Sequence, residues 1–347
     1  MKRRVAVITG TGKVEIQSGE LSDLPPNEAL IEVNASLISP GTEMSSVRHF
    51  AVHPEPQRES MPFGYACAGK VLAVNGEFPE LRPGRRVFAM GAGKAFHADY
   101  VQVPVNLIVP LPDGLPYDEA VYACLGATAL HALRRGVPQL GEYGLVLGLG
   151  IVGNLTMQLA KLMGARVAGW EGLSGRREIA AGCNLTSVFD PAAASTSDLT
   201  RAFAAPYGLD FAVFAFGGDA TAVFEQVRGC MKESADGHRM GRMIFVGGCK
   251  IDFTGAAASG NIDILSAART GPGYHDAVWE HGADYPAAFV PFTTGRNLRE
   301  ILRLIAEKRL RVGPLTTHRL PLEQVGTAAE LLLETPDRAM GIVLQMK

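Results

Sequence analysis

The chain has 347 residues, with 33 Lys+Arg against 35 Asp+Glu and a formal net charge of −2. That length suits about two domains with a sizeable core, and the near-neutral charge argues against nucleic-acid or anionic-membrane partners, which select for a basic excess. The longest apolar stretch, from Tyr143 to Ala160, is broken by glycines and does not read as a membrane span of ~20 apolar residues.

The opening MKRRVAVITG is basic without a sustained apolar region, so no secretory leader is expected and the location expected is cytoplasmic. As far as Leu115 the pattern is β-rich: KVEIQS, ALIEVNASLIS, GKVLAVNG, RRVFAM and ADYVQVP alternate or run apolar. LPPNE, NGEFPELRPG, GAGK and LPDG punctuate them as turns, which predicts a barrel-like β domain. DEAVYACLGATALHALRRG has helical spacing and stops at Gly136 behind Arg134 and Arg135. Five β-like runs then alternate with helical stretches: GLVLGLG, ARVAGWE, SVFD, DFAVFAFGG and RMIFVGG. That rhythm predicts a doubly wound parallel sheet, an α/β fold. NLREILRLIAEKRL and EQVGTAAELLLET read as helices before a last strand, GIVLQM.

Cys67, Cys124, Cys183, Cys230 and Cys249 are odd in number and widely spaced, with no CxxC pair. They predict neither a disulfide framework nor a ribbon-type zinc site.

Gly148-Leu-Gly150-Ile151-Val152-Gly153 is a GxGxxG that follows an apolar strand and opens a helix. Such glycines serve a tight turn, close approach to a pyrophosphate and helix–strand packing, while the helix N-terminus offers free N–H groups. Glu171 ends the next strand, where a carboxylate accepts ribose hydroxyls. Its charge favours NAD over NADP, whereas Ser174, Arg176 and Arg177 are residue types that bind a 2′-phosphate. Both cofactors stay open, with NAD preferred. The early Val7-Ile-Thr-Gly-Thr-Gly12 imitates a nucleotide turn, but the alternating KVEIQS follows it and a hairpin is expected.

A β domain, a mid-chain dinucleotide turn and a closing helix and strand resemble the medium-chain dehydrogenase/reductase family. The matching residues include Gly41-Thr42-Glu43, Pro62-Phe-Gly64-Tyr65, Gly69-Lys-Val71, Pro83-Gly-Arg-Arg-Val87, Ala98-Asp-Tyr-Val101, Cys124-Leu-Gly-Ala-Thr128, Gly148 to Gly153, and Pro314 to Leu322. The resemblance implies a GroES-like catalytic domain over 1–122 and 290–347 and an inserted Rossmann NAD(P)-binding domain over 123–289. Thr128 and Gly247 are further candidate cofactor contacts, and the resemblance implies a homodimer. Zinc-dependent members carry metal ligands where this chain has Pro40, Tyr65 and Ala66, and only Cys124 remains at such a position. One thiolate cannot hold zinc. The SLISPGTE and Gly-Tyr segments are similar to a zinc-lacking branch that includes bacteriochlorophyllide hydroxyethyl dehydrogenase-like and polysaccharide-associated oxidoreductases.

The expected activity is therefore zinc-independent hydride exchange between NAD(P) and a secondary alcohol or ketone, on a sugar-like or secondary-metabolite substrate. A C=C reductase of enoyl or quinone type and a non-catalytic dinucleotide-binding protein are the alternatives. With no metal expected, a side chain must polarise the substrate oxygen, and Tyr65 is the first candidate. Thr42 falls at the family's proton-relay hydroxyl, and Glu43 at an acidic position that could orient Tyr65 or act as a base. Cys124 reads as a family relic more readily than as a nucleophile. His49, His53 and His97 lie in the β domain, where a lone histidine is more often structural; His49 is retained as a substrate contact. The segment ARTGPGYHDAVWEHGADYP offers Arg269, Tyr274 and His275 as lining of a polar pocket, or else an interface loop. A small-molecule substrate is the only partner predicted besides the second copy.

Overall fold

The computed structural model describes residues 1–255 and 260–346. It divides into two compact units, Met1–Ala127 with Thr270–Lys347 and, between them in sequence, Thr128–Arg269.

The first unit opens with β1 (Lys2–Ile8) and β2 (Val14–Glu20), paired antiparallel with Ile8 opposite Val14. The connecting turn closes through Gly12 N–H to Thr9 O at 3.0 Å, so the early Gly-Thr-Gly is the hairpin that the alternation predicted. β3 (Glu28–Ile38) follows and leads into helix α1 (Thr42–Val52). The β-rich reading of this region contained no helix there. The Ser, Thr, Val and His content of α1 gives little intrinsic helicity and Gly41 supplies no side-chain cap; Met44, Val47 and Phe50 hold it by burial. β4 (Met61–Pro62) pairs with β1. β5 (Ala66–Val74), β6 (Arg86–Met90), β7 (Tyr100–Pro104) and β8 (Ile108–Pro110) complete the strands of this segment among the described residues.

A short helix, α2 (Tyr117–Ala120), precedes α3 (Ala123–Gly136), on which the division between the units falls. In the second unit the order is β9 (Tyr143–Leu147), α4 (Ile151–Leu162), β10 (Arg166–Trp170), α5 (Ser174–Gly182), β11 (Val188–Phe189), α6 (Thr196–Phe203) and β12 (Phe211–Phe214). There follow β13 (Gly218–Asp219), α7 (Thr221–Arg228), β14 (Met240–Phe245), β15 (Cys249–Lys250) and β16 (Asn261–Ser266). Among the described residues the main sheet has six strands in the order β11-β10-β9-β12-β14-β16, all parallel. The chain thus starts at the middle of the sheet and winds both ways, as dinucleotide folds do. β16 was not among the five predicted strands. It is an edge strand with most of its side chains exposed, so NIDILS lacks the apolar run of a central one.

The chain then returns to the first unit through α8 (Ala277–Glu280), α9 (Thr294–Ala306), β17 (Thr316–Pro321), α10 (Val325–Glu334) and β18 (Gly341–Gln345). β18 pairs antiparallel with β3, placing Ile342 opposite Ile38, and joins the larger sheet β17-β18-β3-β5-β6-β8, with β7 on β3. The two ends of the chain therefore build one β-rich unit. Residues 270–289 belong with it rather than with the Rossmann unit. Asn106 Nδ2 donates to Trp279 O at 2.6 Å and to Ala283 O at 2.9 Å, and buried Trp279 fills the space below. Among the described residues no helix is long and apolar enough to cross a membrane.

Candidate functional site

The dinucleotide turn of the second unit has the backbone that its glycines demand. Gly148 sits at φ +79°, a left-handed conformation, and a Cβ there would lie 2.9 Å from Phe216 Cβ. A Cβ on Gly153 would lie 1.8 Å from Gly148 O, so only glycine lets α4 close onto β9. Gly150 precedes α4 without a side-chain cap, leaving the N–H groups of Ile151 and Val152 at the helix mouth for an anion. Gly247 packs equally tightly, its hypothetical Cβ 2.1 Å from Phe216 O, and Thr128 is half-buried on α3.

Glu171 is buried at 5% exposure, and both carboxylate oxygens are held: Oε2 by Leu149 N–H at 2.6 Å, Oε1 by Leu173 N–H at 2.9 Å. Two backbone donors fix its carboxyl group against the glycine turn. The two arginines separate. Arg177 is committed to the protein, donating to Glu171 O and Gly172 O at 2.8 Å each and meeting Asp190 at 3.2 Å. Arg176 places Nη1 3.6 Å from where a Cβ of Gly150 would be, over the turn itself. Ser174 is exposed at the start of α5, and Arg269 is exposed with φ +64° at the end of the unit.

The first unit gathers the other candidates. β3 delivers Ser39, α1 begins at Thr42, and Tyr65 lies just before β5. Tyr65 is partly covered, and burial together with the nearby Cys124 and Glu43 pushes its phenol well above the ordinary range; hydrogen bonding from Ser39 and Thr42 works weakly against this. Glu43 is buried at 6% exposure; one oxygen, Oε2, accepts a short hydrogen bond from Ser39 N–H. Its other oxygen, Oε1, stands 3.1 Å from Nε2 of His97, which is fully buried and bonded through Nδ1 to Ser36 Oγ at 2.7 Å. Cys124 is buried and its thiol is pushed up to about 12, first by burial and then by Glu43. Thus Tyr65, Thr42, Glu43 and Cys124 come together.

Other expected contacts lie apart from this cluster or at its margin. His49 is exposed two turns along α1, stacked edge-on against Phe50 and near His53. Tyr274 is closer to Tyr65: its hydroxyl accepts from Ala92 N–H at 2.8 Å, and the adjacent Gly91 N–H donates to Tyr65 O at 2.9 Å. His275 is exposed, at φ +70° in the left-handed region, with its ring tilted 33° against that of Tyr274 at 4.0 Å between centroids. Ser39 was not singled out by sequence reasoning, and His97 was named only as one of three histidines of the β domain read as more often structural. A serine after a strand and a single histidine carry no spacing signal; their roles come from contacts between distant segments. Among the described residues no three His, Cys, Asp or Glu side chains group so as to hold a metal ion.

No family model matches the chain. Sorbitol dehydrogenase of Mus musculus is 24% identical over 373 aligned residues, covering 98% of this chain and 94% of that protein. Among solved structures, alcohol dehydrogenase TADH from Thermus sp. ATN1 superposes with a TM-score of 0.77 at 19% identity, covering 99% of both chains. ECK1772 of Escherichia coli, described as an oxidoreductase/dehydrogenase of unknown specificity involved in membrane biogenesis, reaches a TM-score of 0.80 at 20% identity over 99% of both chains. Full-length similarity to such dehydrogenases, a doubly wound second unit opening on GxGxxG and a β-rich unit closed by both chain ends agree: the chain has the fold of the medium-chain alcohol dehydrogenases and is similar in sequence, over its whole length, to dehydrogenases of that kind.

Proposed function

We propose that the protein is a zinc-independent, NAD-preferring dehydrogenase/reductase that interconverts a secondary alcohol and its ketone, with Tyr65 handling the proton of the substrate oxygen. The observation that carries this reading is the Tyr65 cluster: a phenol, two hydroxyls, a buried carboxylate and a buried thiol brought together in the first unit. The donor set does not suit zinc. The side chains of Pro40 and Ala66 offer no donor, Cys124 is the one thiol left, and zinc needs at least three protein ligands.

When bound, the dihydronicotinamide supplies a hydride. The residues of the chain supply the rest. A phenol pushed well above its ordinary range is a poor base and keeps its proton at neutral pH. Tyr65 therefore donates a hydrogen bond to the carbonyl oxygen and passes a proton to the alkoxide that develops there. Thr42 is exposed and within hydrogen-bonding range of that phenol, so it can return a proton from solvent. Glu171 supports NAD, because a fixed, buried anion repels a 2′-phosphate, and Arg177 is already occupied. A sugar-like or secondary-metabolite substrate suits the polar cluster.

The test supplies NADH and NADPH with panels of ketones and of enones. Ketone reduction with NADH preferred is expected, and Tyr65→Phe should lower kcat by about 10²–10⁴-fold while leaving NADH binding, read by fluorescence, unchanged. Saturation of C=C bonds with Tyr65→Phe fully active would overturn the assignment, as would stoichiometric zinc in the purified enzyme with activity lost to a chelator. Glu171→Ala should raise the NADPH/NADH preference at least about tenfold; an unchanged ratio would count against its role.

A further inference from the structure

The segment NGEFPELRPG ends in a tight turn that the proposed chemistry leaves without a task. Arg82 O accepts from Arg85 N–H at 3.0 Å, with Pro83 second and Gly84 third at φ +83°, the signature of a type II turn. β5 clasps this turn: Gly84 N–H donates to Val71 O at 2.8 Å, and Val71 N–H donates to Arg85 O at 3.0 Å. Leu81, just before it, is a buried anchor. Two arginines are therefore fixed at the ends of one turn, their Cα atoms within about 7 Å of each other.

With Arg299 of α9 they line a pocket of about 370 Å³, whose apolar wall is Pro79, Val109 and Pro110. Elsewhere the chain pairs arginines closely: Arg4, Arg242 and Arg303 each meet a carboxylate at 2.8 Å or less. Here that pairing is withheld. Among the described residues Arg82 and Arg85 have no side-chain hydrogen bond or ion pair. Arg299 has an exposed contact with Glu80 at 3.7 Å, too long and too well solvated to neutralise it. The charged lining is three guanidiniums and one carboxylate, a net charge of +2. Like charges held together around a concave surface repel one another until an anion joins them.

We propose that this pocket binds a phosphate monoester dianion: Arg82 and Arg85 hold the phosphate from the turn, Arg299 faces it from α9, and the small organic group lies on the apolar wall. A phosphate monoester carries about −1.5 to −2 charge at neutral pH, which matches the lining. Its several oxygens also suit more than one planar guanidinium fork, whereas a single arginine satisfies a carboxylate. The pocket is distinct from the site described above. Arg85 precedes β6 and Gly91, whose N–H donates to Tyr65 O, follows it, so a run of about 20 Å of strand separates pocket from phenol. The bound ester therefore takes no part in hydride transfer, and the inference is independent of the role given to Tyr65.

The experiment is calorimetric titration of the full-length protein at constant ionic strength, with glycerol 3-phosphate, inorganic phosphate, glycerol and acetate as probes. Glycerol 3-phosphate should bind saturably and more tightly than inorganic phosphate, with no binding of glycerol or acetate. Arg82→Gln and Arg85→Gln should each weaken it at least about tenfold. Arg338→Gln, which removes an exposed arginine equally free of side-chain partners, should leave it unchanged. No saturable binding up to about 10 mM would overturn the proposal. So would an equal loss in Arg338→Gln, which would reduce the effect to diffuse surface charge, or inorganic phosphate binding as tightly as the ester. Binding lost in Arg176→Gln but kept in Arg82→Gln would place the phosphate at the dinucleotide turn instead, and would equally overturn it.

Discussion

Single residues in this protein are governed by what surrounds them more than by their type. Cys67 and Cys124 are both buried, and burial pushes both thiols up to about 12. At pH 8 their thiolate fraction is about one in ten thousand, so neither should react with iodoacetamide in the native enzyme; mass spectrometry of the alkylated, then unfolded, chain checks this. The same shift has a consequence for stability. A thiol whose folded value is raised contributes stability that is complete below the unfolded value of 9.0 and is lost as pH rises toward about 12. Denaturant midpoints should therefore fall between pH 9 and 12, and Cys67→Ser should flatten that fall. At Gly153 the constraint is steric: with Gly148 O 1.8 Å from any Cβ, Gly153→Ala should cost about 1–3 kcal/mol in chemical denaturation and weaken NADH binding at least about tenfold.

At the scale of elements, residues 270–286 are tied to the β-rich unit by polar anchors as well as by Trp279. Glu28 at the start of β3 is buried, and its Oε1 receives Lys94 Nζ at 2.6 Å and His281 Nε2 at 3.4 Å. Lys94→Met should leave that carboxylate with the weaker partner only, at a cost of about 1–3 kcal/mol given the partly exposed lysine. Hydrogen exchange should then speed up across α8, and unchanged protection there would show that Trp279 alone holds the segment. Elements also differ in how plainly they announce themselves. α9 is periodic, with Leu298, Ile301, Leu302, Leu304 and Ile305 buried on one face, and its pattern is evident from composition. α1 and β16 are not, because one is a weak helix stabilised by packing and the other an exposed edge.

For the molecule as a whole, the insertion of one unit within the other has a measurable consequence. The unit Thr128–Arg269 carries GxGxxG, Glu171 and Arg176, so NAD bound there should stabilise it by about 2.7 kcal/mol at a hundredfold excess over Kd. Slowed hydrogen exchange in β9, α4 and β10 on adding NAD, absent in Gly153→Ala, checks this. Protection confined to the first unit would exclude the dinucleotide turn as the binding site.

Periodicity, glycine spacing and turn residues were enough for the α/β class, for a β-rich start, for a glycine turn between β9 and α4 and for the hairpin at the N-terminus, because each depends on neighbours within a few residues. The grouping of Tyr65 with Thr42, Glu43 and Cys124 entered through resemblance and became a set of contacts when β3, α1 and β5 were seen together. The partners of His97, the place of Ser39 and the contacts of Arg177 were beyond reach of the linear chain. Burial, a carboxylate shared between a backbone N–H and an imidazole, and a glycine that lets one segment lie on another arise only when residues far apart in sequence pack against each other.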